Sequence, residues 1–152
     1  MSEFSFNSEA DLRAFGVICA QCIGAGQVLF LEGDLGAGKT TLAKGLLQGW
    51  GYDGIVTSPT FTLVETYSFS KFDVHHFDLY RMESAQELEM IGARDLFNAQ
   101  DICLLEWPVK AEGYLPEPDV LFSLEHQAAG RKITVTGKNG TQLLECMQQK
   151  NI

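Results

Sequence analysis

The sequence predicts an α/β fold, with a mostly parallel central sheet, antiparallel edge strands and helices on both faces. Residues 28–31 and 102–105 are short apolar runs, typical of strands that are buried on both faces of a sheet. Segments with helical spacing of apolar residues alternate with these runs along the chain, as a parallel sheet requires. A hairpin predicted around residues 128–130 adds antiparallel strands.

Each element has its own signal along the chain. Residues 4–6 are predicted to form a short edge strand, and the capping-box pattern at residues 8–11 predicts that the first helix begins near Ser8. The further predictions, in order, are strand 28–31, helix 41–50, strands 63–69 and 74–77, helix 84–97 with a break at Gly92, strand 102–105, strands 120–124 and 132–136, and helix 141–149. The proline-containing segment 108–118 is too short to divide domains, so residues 1–152 are predicted to form a single domain.

The charge balance limits the class of partner. The 152 residues include 11 Lys and Arg against 20 Asp and Glu, which gives a formal net charge of −9. Tight binding to a nucleic-acid backbone needs clustered cations, so this chain is not expected to hold a polyanion alone. No apolar stretch approaches the roughly 20 residues of a membrane span, and the first residues lack the features of a secretory signal. We therefore expect a cytoplasmic protein with no membrane contact.

The four cysteines are expected to be reduced thiols. Cys19 and Cys22 form a C-x-x-C pattern on one face of the first predicted helix, but no further Cys or His pair has zinc spacing. Buried, inert cysteines are the better interpretation of this pair. Cys103 and Cys146 are isolated in the sequence.

The sharpest signal is a glycine-rich segment between a predicted strand and a predicted helix. Residues 33–40 read Gly-Asp-Leu-Gly-Ala-Gly-Lys-Thr and match the phosphate-loop (P-loop) pattern G-x-x-x-x-G-K-[ST] in full. Backbone N–H groups of such a loop surround phosphate oxygens, Lys39 adds a positive charge, and Thr40 offers a hydroxyl to Mg²⁺. We therefore expect ATP or ADP with Mg²⁺ as ligands. The candidate nucleotide-binding residues of this segment are Asp34, Leu35, Gly36, Ala37, Gly38, Lys39, Thr40 and Thr41.

Two acidic residues follow predicted strands and are candidate partners of Mg²⁺. Asp78 ends the run 74–77, and Glu106 ends the more apolar run 102–105. Ligands of open α/β sheets bind at the carboxyl ends of the strands, where both side chains are expected. The pattern makes Glu106 look more like an acid on a central strand, but it leaves open which of the two contacts the metal and which orients the attacking water.

Weaker signals lie around these acids. The hydroxyl-rich segment 57–62 is either a loop that closes over the terminal phosphate or a plain polar loop before a strand. His75 and His76 are predicted to point to opposite faces of one strand, where a buried structural role is favoured over catalysis. Arg81 and Arg131 lie near strand ends, within possible reach of a site.

Four motifs in this order resemble those of the bacterial TsaE family, formerly called YjeE. They are residues 33–41, Ser58-Pro59-Thr60-Phe61-Thr62-Leu63-Val64-Glu65, His76-Phe77-Asp78-Leu79-Tyr80-Arg81 and Leu105-Glu106-Trp107. The resemblance implies a P-loop ATPase that helps to form threonylcarbamoyladenosine in tRNA, next to the anticodon, together with a TsaB–TsaD pair. The tRNA would be met through these partners, which fits the acidic charge.

The resemblance also implies residue roles. Lys39 would bind phosphate, Thr40 would bind Mg²⁺, Asp78 would take a Walker B-like role and Glu106 would be a metal-linked acid. Trp107 would be needed for function, and Glu9 and Arg131 would lie near the base and ribose. Turnover is expected to be slow without partners.

Two other functions remain open at this stage. A small-molecule kinase could use the same loop, although only four arginines are present and none are clustered. A nucleotide-gated assembly module without turnover of its own is the second alternative.

Overall fold

The computed structural model describes residues 3–59 and 61–150, whose strands form one seven-stranded sheet. Its strands are β1 Glu3–Phe6, β2 Val28–Glu32, β3 Val64–Ser68, β4 Asp73–Asp78, β5 Ile102–Glu106, β6 Val120–Gln127 and β7 Gly130–Thr136. The α-helices are α1 Glu9–Ala20, α2 Lys39–Gly49, α3 Gln86–Met90 and α4 Gly140–Gln149, and short 3-10 helices span Ala93–Leu96 and Pro108–Ala111.

The sheet has a parallel centre and antiparallel edges. Its strand order is β1-β7-β6-β2-β5-β4-β3, and the β4–β5, β5–β2 and β2–β6 pairs are parallel. Strands β3, β7 and β1 are joined by antiparallel pairing. Strand β5 therefore lies between β2, which leads into the glycine-rich loop, and β4, which ends at Asp78. The predicted fold class is confirmed.

Helices cover both faces of the sheet because the central strands are apolar on both sides. Ile102 and Leu104 of β5 pack in the core that contains α1, α2 and α4. Cys103 and Leu105 point the other way and pack with α3 and the 3-10 helices. At the start of α1, the Ser8 side chain accepts a hydrogen bond from the Asp11 backbone N–H at 3.1 Å, as the capping pattern predicts.

The predicted break at Gly92 in helix 84–97 is confirmed, but the helix begins later than predicted and its second part is a 3-10 helix. The helix is divided into α3 and the Ala93–Leu96 3-10 helix at Gly92, whose φ of 72° lies in the left-handed region. The hairpin strands β6 and β7 are longer than predicted and meet at a tight turn, because polar and charged residues continue the ladder beyond the apolar core.

The expectation of four reduced cysteines is wrong for two of them. Cys22 and Cys146 form a disulfide between the segment after α1 and helix α4, with their Cα atoms 5.8 Å apart. No sequence pattern indicates this pair, since 124 positions separate the two residues. Cys19 and Cys103 are free and buried, as expected, and burial raises the pKa of both thiols, that of Cys103 to about 12.

Across the two described ranges, every helix is too short or too polar to span a lipid bilayer.

Candidate active site

The glycine-rich loop joins the end of β2 to the start of α2, which is the setting that the P-loop pattern requires. At two positions of the loop a residue with a side chain would be strained and would collide with its neighbours. Gly38 has a φ of 111°, and a Cβ there would lie 2.6 Å from the Leu12 side chain. Gly33 has a φ of 147°, and a Cβ there would lie 2.5 Å from the Leu124 carbonyl oxygen. The glycines thus permit both the backbone angles and the close packing of the loop.

Lys39 is the first residue of α2 and is buried within the loop. Its Nζ donates to the carbonyl oxygens of Gly33 and Asp34, the latter at 2.9 Å, and lies 4.4 Å from the ring centroid of Trp107. Burial lowers the pKa of the Lys39 ammonium, while the nearby carboxylates of Glu106, Asp78 and Asp34 act in the opposite direction. The loop carbonyl oxygens thus hold the Lys39 ammonium at the start of α2.

A cleft of about 270 Å³ opens beside the loop. Most of the predicted site residues line it: Glu9, Leu35, Gly36, Gly38, Lys39, Thr40, Thr41, Asp78 and Glu106. Ser58, Tyr80 and Trp107 complete its wall. The structure thus brings residues from all four motifs of the sequence to one opening.

Glu106 is the acid that contacts the phosphate loop. It ends β5, the strand next to β2, and its Oε1 accepts a hydrogen bond from the Thr40 hydroxyl at 3.2 Å. Its Oε2 lies 2.7 Å from the His76 Nε2, and the residue is 2% exposed. Both carboxylate oxygens of Glu106 therefore have fixed partners.

Asp78 lies one strand further from the loop. It pairs in register with Glu106 across β4 and β5. Its Oδ2 accepts a hydrogen bond from the Ser58 hydroxyl at 2.6 Å, and its Oδ1 accepts one from the Tyr80 backbone N–H at 3.1 Å. Asp78 thus links the hydroxyl-rich segment to the floor of the cleft. Thr60 of that segment lies outside the described residues.

Three predicted residues do not line the cleft. The side chain of Ala37 is fully buried, and Asp34 accepts a hydrogen bond from the Lys39 ammonium through its backbone carbonyl oxygen. Arg131, at the β6–β7 hairpin, donates from Nη2 to the Gly36 carbonyl oxygen at 3.1 Å. The contact of Arg131 is therefore with the loop backbone.

Trp107 covers the cleft in a strained conformation. Its φ of 59° lies in the left-handed region, which bulky residues rarely adopt. Its ring packs against Tyr80 at a centroid distance of 4.9 Å and against the Lys39 ammonium. Strain of this kind persists where the surroundings hold the side chain in one place.

The side chains present fit a magnesium ion. The Thr40 hydroxyl and the Glu106 and Asp78 carboxylates line one cleft and are hard oxygen donors, which Mg²⁺ prefers. The described residues contain no group of three or more Cys, His, Asp or Glu able to hold a metal by themselves.

Most of the cleft residues are predictable from the sequence, but the contacts of His76 and Tyr80 are not. One signal for His76 was available: it lies two residues before Asp78 on β4, so the two side chains share a face. No sequence signal pointed to Tyr80 as the support of Trp107.

The sequence matches a known family model and several named proteins. The family model "Threonylcarbamoyl adenosine biosynthesis protein TsaE" matches residues 6–133. A Haemophilus influenzae protein named tRNA threonylcarbamoyladenosine biosynthesis protein TsaE is 50% identical over 117 residues, covering 74% of each chain. The Bacillus subtilis protein of the same name is 37% identical over 137 residues, covering 90% of this chain and 85% of its own.

A solved structure has the same architecture. The crystal structure of Bacillus subtilis YdiB superposes with a TM-score of 0.83 at 30% sequence identity, covering 99% of this chain and 95% of that chain. The likeness extends over the sheet and over the helices on both of its faces.

Proposed function

Because this chain belongs to the TsaE family of threonylcarbamoyl adenosine biosynthesis proteins, we propose that it is a Mg²⁺-dependent ATPase required for threonylcarbamoyladenosine formation in tRNA. The modified position is the one next to the anticodon. The observation that carries the proposal is the 3.2 Å contact between Thr40 of the phosphate loop and Glu106. The cleft around this contact also holds Lys39 and Asp78, so it unites the groups that phosphoryl transfer to water requires.

The phosphate loop would bind the nucleotide through its backbone and through Lys39. The N–H groups at the start of α2 and the positive end of that helix favour an anion. Lys39 now interacts with loop carbonyl oxygens and would turn toward the β- and γ-phosphates. Glu9 lines the cleft at the start of α1, which supports a role near the base and ribose. Arg131 would act there through its contact with the Gly36 carbonyl oxygen.

Mg²⁺ would be held by Thr40 and Glu106. The chemistry supplied by bound Mg²⁺ would be positive charge against the negative charge that develops on the phosphates in the transition state. Thr40 and Glu106 are already within hydrogen-bonding distance, so little rearrangement is needed to bring both oxygens to one ion. This geometry favours Glu106 over Asp78 as the direct ligand.

Asp78 would then orient the attacking water. Its carboxylate lines the same cleft, one strand away from Glu106, and accepts a hydrogen bond from Ser58. A carboxylate in this place can accept a hydrogen bond from water and hold it in line with the γ-phosphate. The Ser58 contact gives the 57–62 segment a way to respond to nucleotide.

The tRNA would be reached through a TsaB–TsaD-type complex. The net charge of −9 disfavours direct contact with a polyanion. Leu35, at the tip of the phosphate loop, is 61% exposed and could contact a protein partner beside the nucleotide. Turnover is expected to rise when the partners bind.

Nucleotide binding is the first test. Titration calorimetry should give Mg²⁺-dependent ATP binding that is lost in Lys39→Ala and Thr40→Ala. Lys44→Ala is the matched control, because Lys44 lies on the same helix and does not line the cleft. Binding retained in both loop variants would refute the proposal.

Reconstitution is the second test. The chain, a TsaB–TsaD pair, ATP and tRNA substrate are combined, and tRNA modification is followed by mass spectrometry alongside phosphate release. The proposal requires both signals. Phosphate transferred to a small molecule would favour the kinase, and modification without phosphate release would favour the assembly module.

A further inference from the structure

His76 is a buried side chain with an incomplete set of hydrogen bonds. It lies on β4 with 0% exposure, and its Nε2 is 2.7 Å from the Glu106 Oε2. A carboxylate can only accept, so Nε2 is the donor. The other ring nitrogen, Nδ1, is buried and has no hydrogen-bond partner among the described residues.

The neighbouring histidine provides an internal comparison. His75 points to the opposite face of β4 and is also buried, at 3% exposure. Its Nδ1 lies 2.8 Å from the Thr66 hydroxyl and its Nε2 lies 2.9 Å from the Asp101 Oδ2. One strand thus carries two imidazole–carboxylate pairs, and only the pair at the cleft leaves a nitrogen unsatisfied.

The unsatisfied nitrogen argues against a purely structural role. Leaving a buried polar atom unpaired costs about 1–3 kcal/mol, and an apolar side chain at the same place would avoid this cost. Structures rarely keep such an atom without a reason. The reason for a histidine at this position must therefore lie with Nε2, the ring nitrogen that contacts Glu106.

The contact fixes the plane of the Glu106 carboxylate. The last torsion of a glutamate side chain has a broad, weak preference, so its two oxygens are not directed by the chain itself. His76 holds Oε2, and this leaves Oε1 directed toward Thr40 at 3.2 Å. Partners of this kind orient metal-binding side chains in many proteins.

We propose that His76 is a positioning residue for Glu106, which it holds in the orientation that serves Thr40 and the metal. This inference rests on the proposed ATPase function, since it assigns a further residue to that same site. His76 itself is not among the residues lining the cleft. Its effect is transmitted through a single hydrogen bond.

Two amide substitutions separate positioning from packing. His76→Gln keeps an amide nitrogen at about the reach of Nε2, whereas His76→Asn is one carbon shorter and cannot reach Glu106. We expect His76→Asn to lower kcat by about 10- to 100-fold with little change in the KM for ATP, and His76→Gln to restore most of the loss. His75→Asn is the matched control, because it breaks the other pair on the same strand, and its kcat should stay near that of wild type.

A binding measurement keeps this inference distinct from the ATPase proposal. The affinity of the ADP complex for Mg²⁺, measured by calorimetry, should fall about 10-fold or more in His76→Asn and recover in His76→Gln. If wild type binds Mg²⁺ and ADP but hydrolyses no ATP, the ATPase proposal fails while this comparison still tests His76. Equal Mg²⁺ affinity and equal kcat in wild type and both His76 variants would overturn the inference. Equal losses in His76→Gln and His76→Asn would also overturn it.

Nitrogen-15 NMR of the wild-type protein tests the contact without any folding risk. The chain has three histidines, so the ring signals can be assigned. The inference requires the His76 hydrogen on Nε2, protected from exchange, in both the free and the Mg²⁺–ADP forms. A hydrogen on Nδ1 alone would overturn it.

Discussion

The two ends of the parallel strands carry similar carboxylates in different surroundings. Asp101 and Asp119 immediately precede β5 and β6, at the amino ends, while Asp78 and Glu106 end β4 and β5. Asp119 accepts from the Val28 backbone N–H and from the Asn139 side chain, both at 2.7 Å, so it joins the start of β2 to the segment before α4. These contacts at the amino end hold structural segments together.

At the carboxyl end, the partners belong to the cleft. Glu106 contacts a phosphate-loop hydroxyl and Asp78 contacts the 57–62 segment. The same residue type thus holds structural segments together at one end of the strands and, in the proposed mechanism, serves the chemistry at the other. The difference lies in what the partners do, because all four carboxylates are hydrogen-bonded. Changes at the two ends should therefore have separable effects on turnover and on stability.

The largest expected effect is on turnover at the carboxyl end. Glu106→Gln keeps the shape of the side chain and removes its charge, so it should lower kcat by about 100-fold or more, while ATP affinity measured at saturating Mg²⁺ changes by less than about 3-fold. Asp119→Asn is the matched change at the amino end, and its folded form should keep the wild-type kcat. Phosphate release and nucleotide titration on both variants check this. Equal losses of kcat would remove the distinction between the two ends.

How far the sequence predicts this site depends on distance along the chain. The phosphate loop is contiguous, so its glycines, Lys39 and Thr40 could be assigned from spacing alone. Asp78 and Glu106 could be named as strand-terminal acids because apolar runs precede them. Each of these signals lies within a few residues of the position that it identifies.

Contacts between distant segments could not be predicted in this way. The sequence left open which acid meets Thr40, because that depends on the position of β5 between β2 and β4. The connecting lengths allow more than one strand order, and only packing selects among them. The Cys22–Cys146 disulfide and the His76–Glu106 contact are likewise set by tertiary structure.

The second expected effect is on stability at the amino end. Asp119→Ala removes both acceptors and leaves the Val28 N–H buried without that partner, so the free energy of unfolding should fall by about 2–3 kcal/mol. Glu89→Ala breaks an exposed ion pair with Arg94 and should change the free energy of unfolding by no more than about 0.5 kcal/mol. Urea denaturation of both variants gives these values. If Asp119→Ala loses no more stability than Glu89→Ala, the hydrogen bonds of Asp119 do not hold these segments together.

The smallest expected effect is the pH dependence of folding stability that the Asp101 carboxyl contributes. Partial burial alone would raise the pKa of this carboxyl, but hydrogen bonds from His75, Asn98 and the Asp73 backbone N–H outweigh it and lower the pKa. A lowered pKa in the folded state adds stability above the unfolded-state value, near pH 4, and this stability is lost as pH falls through the folded-state pKa. The asparagine of Asp101→Asn does not titrate. At neutral pH the free energy of unfolding of wild type should therefore exceed that of the variant by about 1 kcal/mol.

That difference should shrink as the pH falls below about 4, because protonation removes the advantage of the wild-type carboxylate. Urea denaturation of wild type and Asp101→Asn between neutral pH and pH 3 measures it, and ATP turnover at neutral pH should be equal in the two proteins. A stability difference that stays constant with pH would show that the Asp101 charge is not what ties His75 and Asn98 to the start of β5. A loss of turnover in Asp101→Asn would show that the two ends of the sheet are coupled, and that the amino-end pair reaches the cleft through β4.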